Sequence, residues 1–174
     1  RSIFAIALLF CGCGAEERQA PAPEAPSPHS ISVIPRPNSV TTGFGTLVVG
    51  PDVVIVAGDE NSVLAAELLN ASLGELQPGK SLPILQNIES GVAITLETLP
   101  DAVSNSESYE LIVESNSIRL KGQKRGLFQG VQTLSQMLTV STDSQVIVPA
   151  ALITDSPRFA YRGVHLDEAR HFMG

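Results

Sequence analysis

Residues 124–140 read KRGLFQGVQTLSQMLTV, and two opposing signals share the stretch. Leu127, Val131, Leu134 and Leu138 recur at three- and four-residue spacing with Phe128 alongside, which predicts an amphipathic helix. Gly126 and Gly130 fall inside it, and each costs about 1 kcal/mol relative to alanine in a helix interior. Something must compensate. Close approach of the helix to a sheet, at positions that carry no side chain, is the simplest physical reason to keep both glycines. The stretch therefore predicts a helix laid directly on strands.

The flanking sequence supplies those strands. SYELIVES and SIRLKGQ precede the helix, and Tyr109, Leu111 and Val113 alternate with Glu110, Ile112 and Glu114, as a half-buried strand requires. VIVPAALITDSP follows and ends at Pro157. Further upstream, TLVVG (46–50), DVVIVAG (52–58), LPILQN and GVAITLET are short β-branched runs separated by turn residues. Between them, DENSVLAAELLNASL (59–73) changes period: Val63, Ala66, Leu69, Asn70 and Leu73 form a stripe that Leu64, Ala65 and Leu68 widen. Its acidic start suits a helix N-terminus, and Gly74 is expected to close it. ISVIPRPNSV, from Ile31, reads as an edge segment because its prolines forbid a central strand. The fold class expected is α+β, a mostly antiparallel sheet with two helices on one face.

A chain of 174 residues holds one ordinary domain and additional segments, since domains cluster at roughly 100 to 150 residues. At 43% hydrophobic and 17% charged it is apolar enough to bury a core. Its formal net charge is -7, with no Lys/Arg cluster, so a phosphate backbone would be repelled and nucleic acid is not an expected partner.

IFAIALLF (3–10) follows Arg1 and is continuously apolar, the pattern of a secretory signal, and it is well below the ~20 residues that a membrane span needs. FCGCGAEERQ then resembles a bacterial lipoprotein lipobox, with Gly12 at the cleavage point and Cys13 as the lipidated residue; plain cleaved secretion is the alternative. Cys11 and Cys13 have neither disulfide nor zinc spacing. APAPEAPSP (20–28) is a proline-rich tether of extended character. The expected division is a signal and lipobox region at 1–19, a linker at 20–30, an α+β domain at 31–155 and the start of another domain at 156–174.

GLFQGVQTLSQML (126–138) and SPRFAYRGVHLDEARHF (156–172), with SYELIV and SIRLKGQ before them, resemble bacterial β-N-acetylhexosaminidases of glycoside hydrolase family 20. The first passage is similar to the second helix of the small domain that precedes their catalytic barrel. The second is similar to the first strand of that (β/α)8 barrel and the turn after it. The resemblance implies a C-terminally truncated chain whose parent hydrolyses terminal, non-reducing N-acetylglucosamine or N-acetylgalactosamine from glycans. It also implies substrate-assisted chemistry, in which the sugar's own acetamido oxygen is the nucleophile, a glutamate is acid and base, and a neighbouring aspartate orients the acetamido group.

Neither Asp59-Glu60 nor Asp167-Glu168 is assigned as that pair, because the first opens a helix and the second lies in the opening motif, well before the family's catalytic pair. The fragment is thus expected to be inactive, with no catalytic residue of its own. Arg162 matches the arginine of the family's opening strand and is the expected substrate-binding residue, since its planar fork of donors can bridge two vicinal hydroxyls. His165 is expected to pack against the barrel, and Arg170 and His171 to hold the strand's exit turn. No metal site and no cofactor are expected. The expected partners are a glycan with a terminal N-acetylhexosamine and a membrane reached only through the Cys13 lipid, at the periplasmic or outer surface of a bacterium. The competing reading is a non-catalytic carbohydrate-binding or adhesion module, and a relative of altered sugar preference such as a lacto-N-biosidase stays open within the enzyme class.

Overall fold

The computed structural model describes residues 31–100, 107–159, 161–163 and 165. In chain order these residues form β1 (Ser39–Val48), β2 (Val54–Ala57), α1 (Glu60–Leu76), β3 (Ile84–Leu85) and β4 (Ala93–Thr98). There follow β5 (Tyr109–Val113), β6 (Ser117–Gly122), α2 (Lys124–Met137), β7 (Thr139–Val140) and β8 (Val146–Asp155). All the strands join one sheet in the order β1-β8-β5-β6-β4-β2-β3, and β7 pairs separately with β8.

The sheet is mixed: antiparallel pairings are the majority, and a parallel portion joins them. β2 runs parallel to β3 and β4, and β4 parallel to β6, whereas the β1/β8, β5/β6, β5/β8 and β7/β8 pairs are antiparallel. The cause is the helices. α1 carries the chain back along the sheet from β2 to β3, and a helical crossover returns a strand in the same direction; β4 follows, also parallel to β2. α2 does the same between β6 and β8, with β5 inserted antiparallel to both. α1 and α2 indeed pack against each other as well as against the sheet, as expected.

The core lies in that single layer. Ile55, Ile94, Leu111, Leu120 and Ile153 from the sheet meet Leu69 and Leu73 of α1 and Leu127, Val131 and Leu134 of α2, all fully buried. The predicted alternation of β5 holds: Tyr109, Leu111 and Val113 are buried, while Glu110 and Ile112 are only partly covered on the opposite face. Among the described residues no helix is long and apolar enough to cross a membrane.

Two helix boundaries differ from expectation. α1 does not stop at Gly74; the Gln77 N–H still donates to the Leu73 carbonyl, so the last turn continues past the glycine. Leu64, placed on the apolar stripe, is exposed, whereas Ser62 is buried because it closes a capping box with Asp59. Asp59 accepts from the Asn61 and Ser62 N–H groups and from the Thr98 hydroxyl. Burial pushes the Asp59 carboxyl up, but these hydrogen bonds outweigh it and hold the group below its ordinary value. α2 ends at Met137, not at Val140: Leu138 turns extended, and the β-branched Thr139 and Val140 pair with Ile147 and Val146.

Both glycines of α2 sit at close approaches to the sheet side of the domain. A Cβ on Gly126 would run into the Ser108 carbonyl oxygen and lie 3.0 Å from its carbon. One on Gly130 would overlap the Leu120 side chain, with Cδ2 3.0 Å away. The first contact is backbone against helix, and it fixes where the segment before β5 can sit.

Candidate functional site

The chain leaves β8 at Asp155, and the exit is tied to Asn38, the residue that precedes the neighbouring strand β1. The Asn38 N–H donates to Asp155 Oδ1 at 3.0 Å, and the Asn38 amide nitrogen donates to the Ser156 carbonyl at 2.9 Å and to its hydroxyl at 3.0 Å. These bonds put residues 156–159 beside a cavity of about 380 Å3, lined by Arg36, Asn38, Glu107, Tyr109, Gln129, Asp155, Phe159 and Arg162 among others. Tyr109 closes its inner side, and its hydroxyl shares a 2.6 Å hydrogen bond with that of Thr133 on α2. Burial raises the Tyr109 hydroxyl above its ordinary pKa, the Thr133 bond opposes that, and the negative charge of Asp155 adds to it.

Arg162 lies at the mouth, its side chain 47% exposed. Its Nη1 donates to the Phe159 carbonyl at 2.9 Å, and its Nη2 pairs with Glu107 Oε2. The other oxygen of Glu107 faces Arg125 Nη1 at 3.6 Å. Phe159 and Tyr161 stand exposed around this group, at 69% and 90%. A carboxylate between two guanidinium groups beside an open, part-apolar cavity is suited to holding a polyhydroxy ligand by charge-assisted hydrogen bonds and stacking.

Sequence reasoning singled out Arg162 and missed both Glu107 and Asn38. Neither has a local signal: Glu107 sits in SESYE as any turn acid might, and its role appears only when α2 and the segment after β8 converge on it. Asp59 and Glu60 lie at the start of α1, Asp59 as its N-cap. Cys11, Cys13, His29, Asp167, Glu168, Arg170 and His171 fall outside the described residues. His165 is exposed. The described residues from 156 to 163 form no strand, where the first barrel strand was expected; a strand needs hydrogen-bonding neighbours on at least one side. Among the described residues no group of three or more His, Cys, Asp or Glu side chains could hold a metal ion.

The family model for glycosyl hydrolase family 20, domain 2, matches residues 30–156. The chain belongs to glycosyl hydrolase family 20. The matched span coincides with the domain just described and ends one residue past β8. This family 20 chain is 30% identical over 147 residues to a β-N-acetylhexosaminidase of Cellulomonas fimi, covering 82% of its own length and 29% of the relative's. Its fold is similar to the family 20 β-N-acetylhexosaminidase of Streptomyces coelicolor, with a TM-score of 0.70 and 27% identity over 84% of this chain and 31% of that one. A mutant Streptomyces plicatus β-hexosaminidase, in complex with the product GlcNAc, gives a TM-score of 0.65 and 25% identity over 85% of this chain and 31% of that one. The chain thus spans less than a third of each of these relatives.

Proposed function

We propose that this chain is the small domain of a β-N-acetylhexosaminidase, the part that precedes the catalytic barrel, together with the opening of that barrel from Ser156 onward. The observation that carries the reading is the coincidence of the family 20 domain 2 match with the α+β unit, ending where Asn38 fixes the exit of β8. The exposed Phe159 and Tyr161 support it, as aromatic surface that a following domain would cover.

The proposed reaction removes terminal, non-reducing N-acetylglucosamine or N-acetylgalactosamine. The acetamido oxygen of the substrate attacks its own anomeric carbon, the bond to the leaving oxygen breaks, and a glutamic acid gives that oxygen its proton. The resulting oxazolinium is opened by water, from which the same glutamate takes a proton. An intramolecular nucleophile already near its target removes most of the entropic barrier, so the protein has to orient and polarise rather than attack. The acid and its partner aspartate belong to the remainder of the enzyme, and no cofactor enters. This chain contributes Arg162, whose donors take the sugar hydroxyls.

The full-length protein is expected to release chromophore from an aryl N-acetyl-β-glucosaminide, and residues 1–174 alone are expected to release none. Absence of turnover on both the gluco and galacto substrates by the full-length protein would leave the carbohydrate-binding module as the better reading.

The lipobox resemblance supports a second part of the proposal: Cys13 carries a lipid that holds the enzyme at a bacterial membrane surface, with the proline tether 20–28 as spacer. Cells fed radiolabelled palmitate should label the wild-type protein and not Cys13→Ser. Equal labelling of the two would remove the anchor.

A further inference from the structure

We propose that Asn38 is a positioning residue for the domain that follows: it fixes the direction in which the chain leaves β8. The proposal rests on the reading of this chain as a small domain with a further domain after it, and the experiment below tells the two apart.

Backbone pairing between β1 and β8 ends at Ser39 and Thr154. Asn38 carries the link two residues further by other means. Its N–H donates to Asp155 Oδ1 at 3.0 Å, and its carboxamide nitrogen donates to the Ser156 carbonyl at 2.9 Å and to the Ser156 hydroxyl at 3.0 Å. A carboxamide suits the place because Ser156 presents two acceptors there, and an aspartate of the same size would have no proton to give either. Pro157 comes next; its ring fixes its own φ and confines Ser156 to extended backbone. Three consecutive residues of the exit are thereby restricted, Asp155 and Ser156 by Asn38 and Pro157 by its ring.

The residue that holds the exit is itself held. The segment before β1 is tied to α2 through Gln136, whose Oε1 accepts from the Ile34 N–H at 2.9 Å and whose Nε2 donates to the Ile34 carbonyl at 3.0 Å. Val33 and Pro37 are buried on either side of that contact. On its other side Asn38 runs directly into β1. Asn38 therefore cannot follow Ser156 if the exit swings, and its bonds hold the exit against the domain.

A cap that only stabilises β1 is the competing reading. It is the weaker one, because β1 already pairs with β8 on both sides of its irregularity between Thr42 and Thr46, and both acceptors of the Asn38 carboxamide lie beyond the end of β8. All three bonds are also open to solvent, where water competes for the same groups and global stability gains little.

The test is limited trypsin digestion of the native full-length protein, with the fragments assigned by mass. Arg158 and Arg162 give cleavage sites in the exit, whereas Arg119 and Lys121 lie within β6 and are cut only when the sheet opens. Asn38→Ala keeps the N–H bond and removes both carboxamide bonds; Asn38→Asp removes them without changing the size of the side chain. Cleavage after Arg158 or Arg162 is expected to be about tenfold faster in both variants, with cleavage in β6 within about twofold of wild type. Unchanged cleavage of the exit would overturn the proposal, because the segment would then be held without Asn38. Equal acceleration in the exit and in β6 would also overturn it, since Asn38 would then act on the stability of the whole domain. Hydrolysis of an aryl N-acetyl-β-glucosaminide by the same wild-type sample reports on the proposed function separately: no turnover there sinks that function and leaves the cleavage pattern to decide the role of Asn38.

Discussion

Gly126→Ala is expected to destabilise the domain by about 2 to 3 kcal/mol, although alanine is the better helix former. The helix propensity of alanine favours the substitution by at most about 1 kcal/mol, and less in the first turn, where Gly126 lies. Against that, the new methyl group meets the Ser108 carbonyl, a backbone atom that cannot rotate aside. Relief requires moving α2 away from the sheet or the 107–108 segment away from α2. The first opens voids around Leu127, Val131 and Leu134, all fully buried, and overpacking of this kind costs about 1 to 3 kcal/mol before such losses. Gly130→Ala should cost less, because its obstacle is the end of the Leu120 side chain, which can change rotamer. Gly50→Ala, with nothing within 4 Å of its would-be Cβ, serves as the control and should be neutral or slightly stabilising. Urea unfolding midpoints of the three variants check the order; a midpoint for Gly126→Ala at or above wild type would show that the close approach is not structural.

Arg162→Ala should lower kcat/KM of the full-length enzyme by about 3 kcal/mol, roughly a hundredfold, which is the scale of two charge-assisted hydrogen bonds lost from the transition state. Its effect on stability should be small. The Arg162 side chain is half-exposed and its ion pair with Glu107 is at the surface, so about 1 kcal/mol or less is at stake in the fold. That separation is the informative part: activity falls while the unfolding midpoint barely moves. Arg162→Lys keeps the charge but loses the planar fork, and should recover only a fraction of the loss. Parallel falls in activity and midpoint would make Arg162 a structural residue.

Local chemistry made much of the domain legible. The glycines of α2 announced a close approach before any strand was placed, and the alternation from Tyr109 to Val113 identified its buried face. Strand direction was not legible, because an apolar run reads the same in parallel and antiparallel pairing, and only the crossovers through α1 and α2 decide it. Leu64 shows the limit of periodicity: its place on the stripe depends on the packing angle of α1, and the neighbour that turns inward is Ser62, held by its cap. At the site, Arg162 could be found because it stands in a motif, whereas Glu107 and Asn38 act through residues 55 and 118 positions away and leave no local trace. The apolar leader, the lipobox and the tail after His165 lie outside the described residues, and for them the sequence remains the whole argument.

The most direct test of the account is whether hydrolysis needs the acetamido group. The full-length protein should hydrolyse 4-nitrophenyl N-acetyl-β-glucosaminide and leave 4-nitrophenyl β-glucoside, which has a hydroxyl in place of the acetamide, essentially untouched. Comparable turnover of the two would contradict the substrate-assisted mechanism, and with it the role given to this chain.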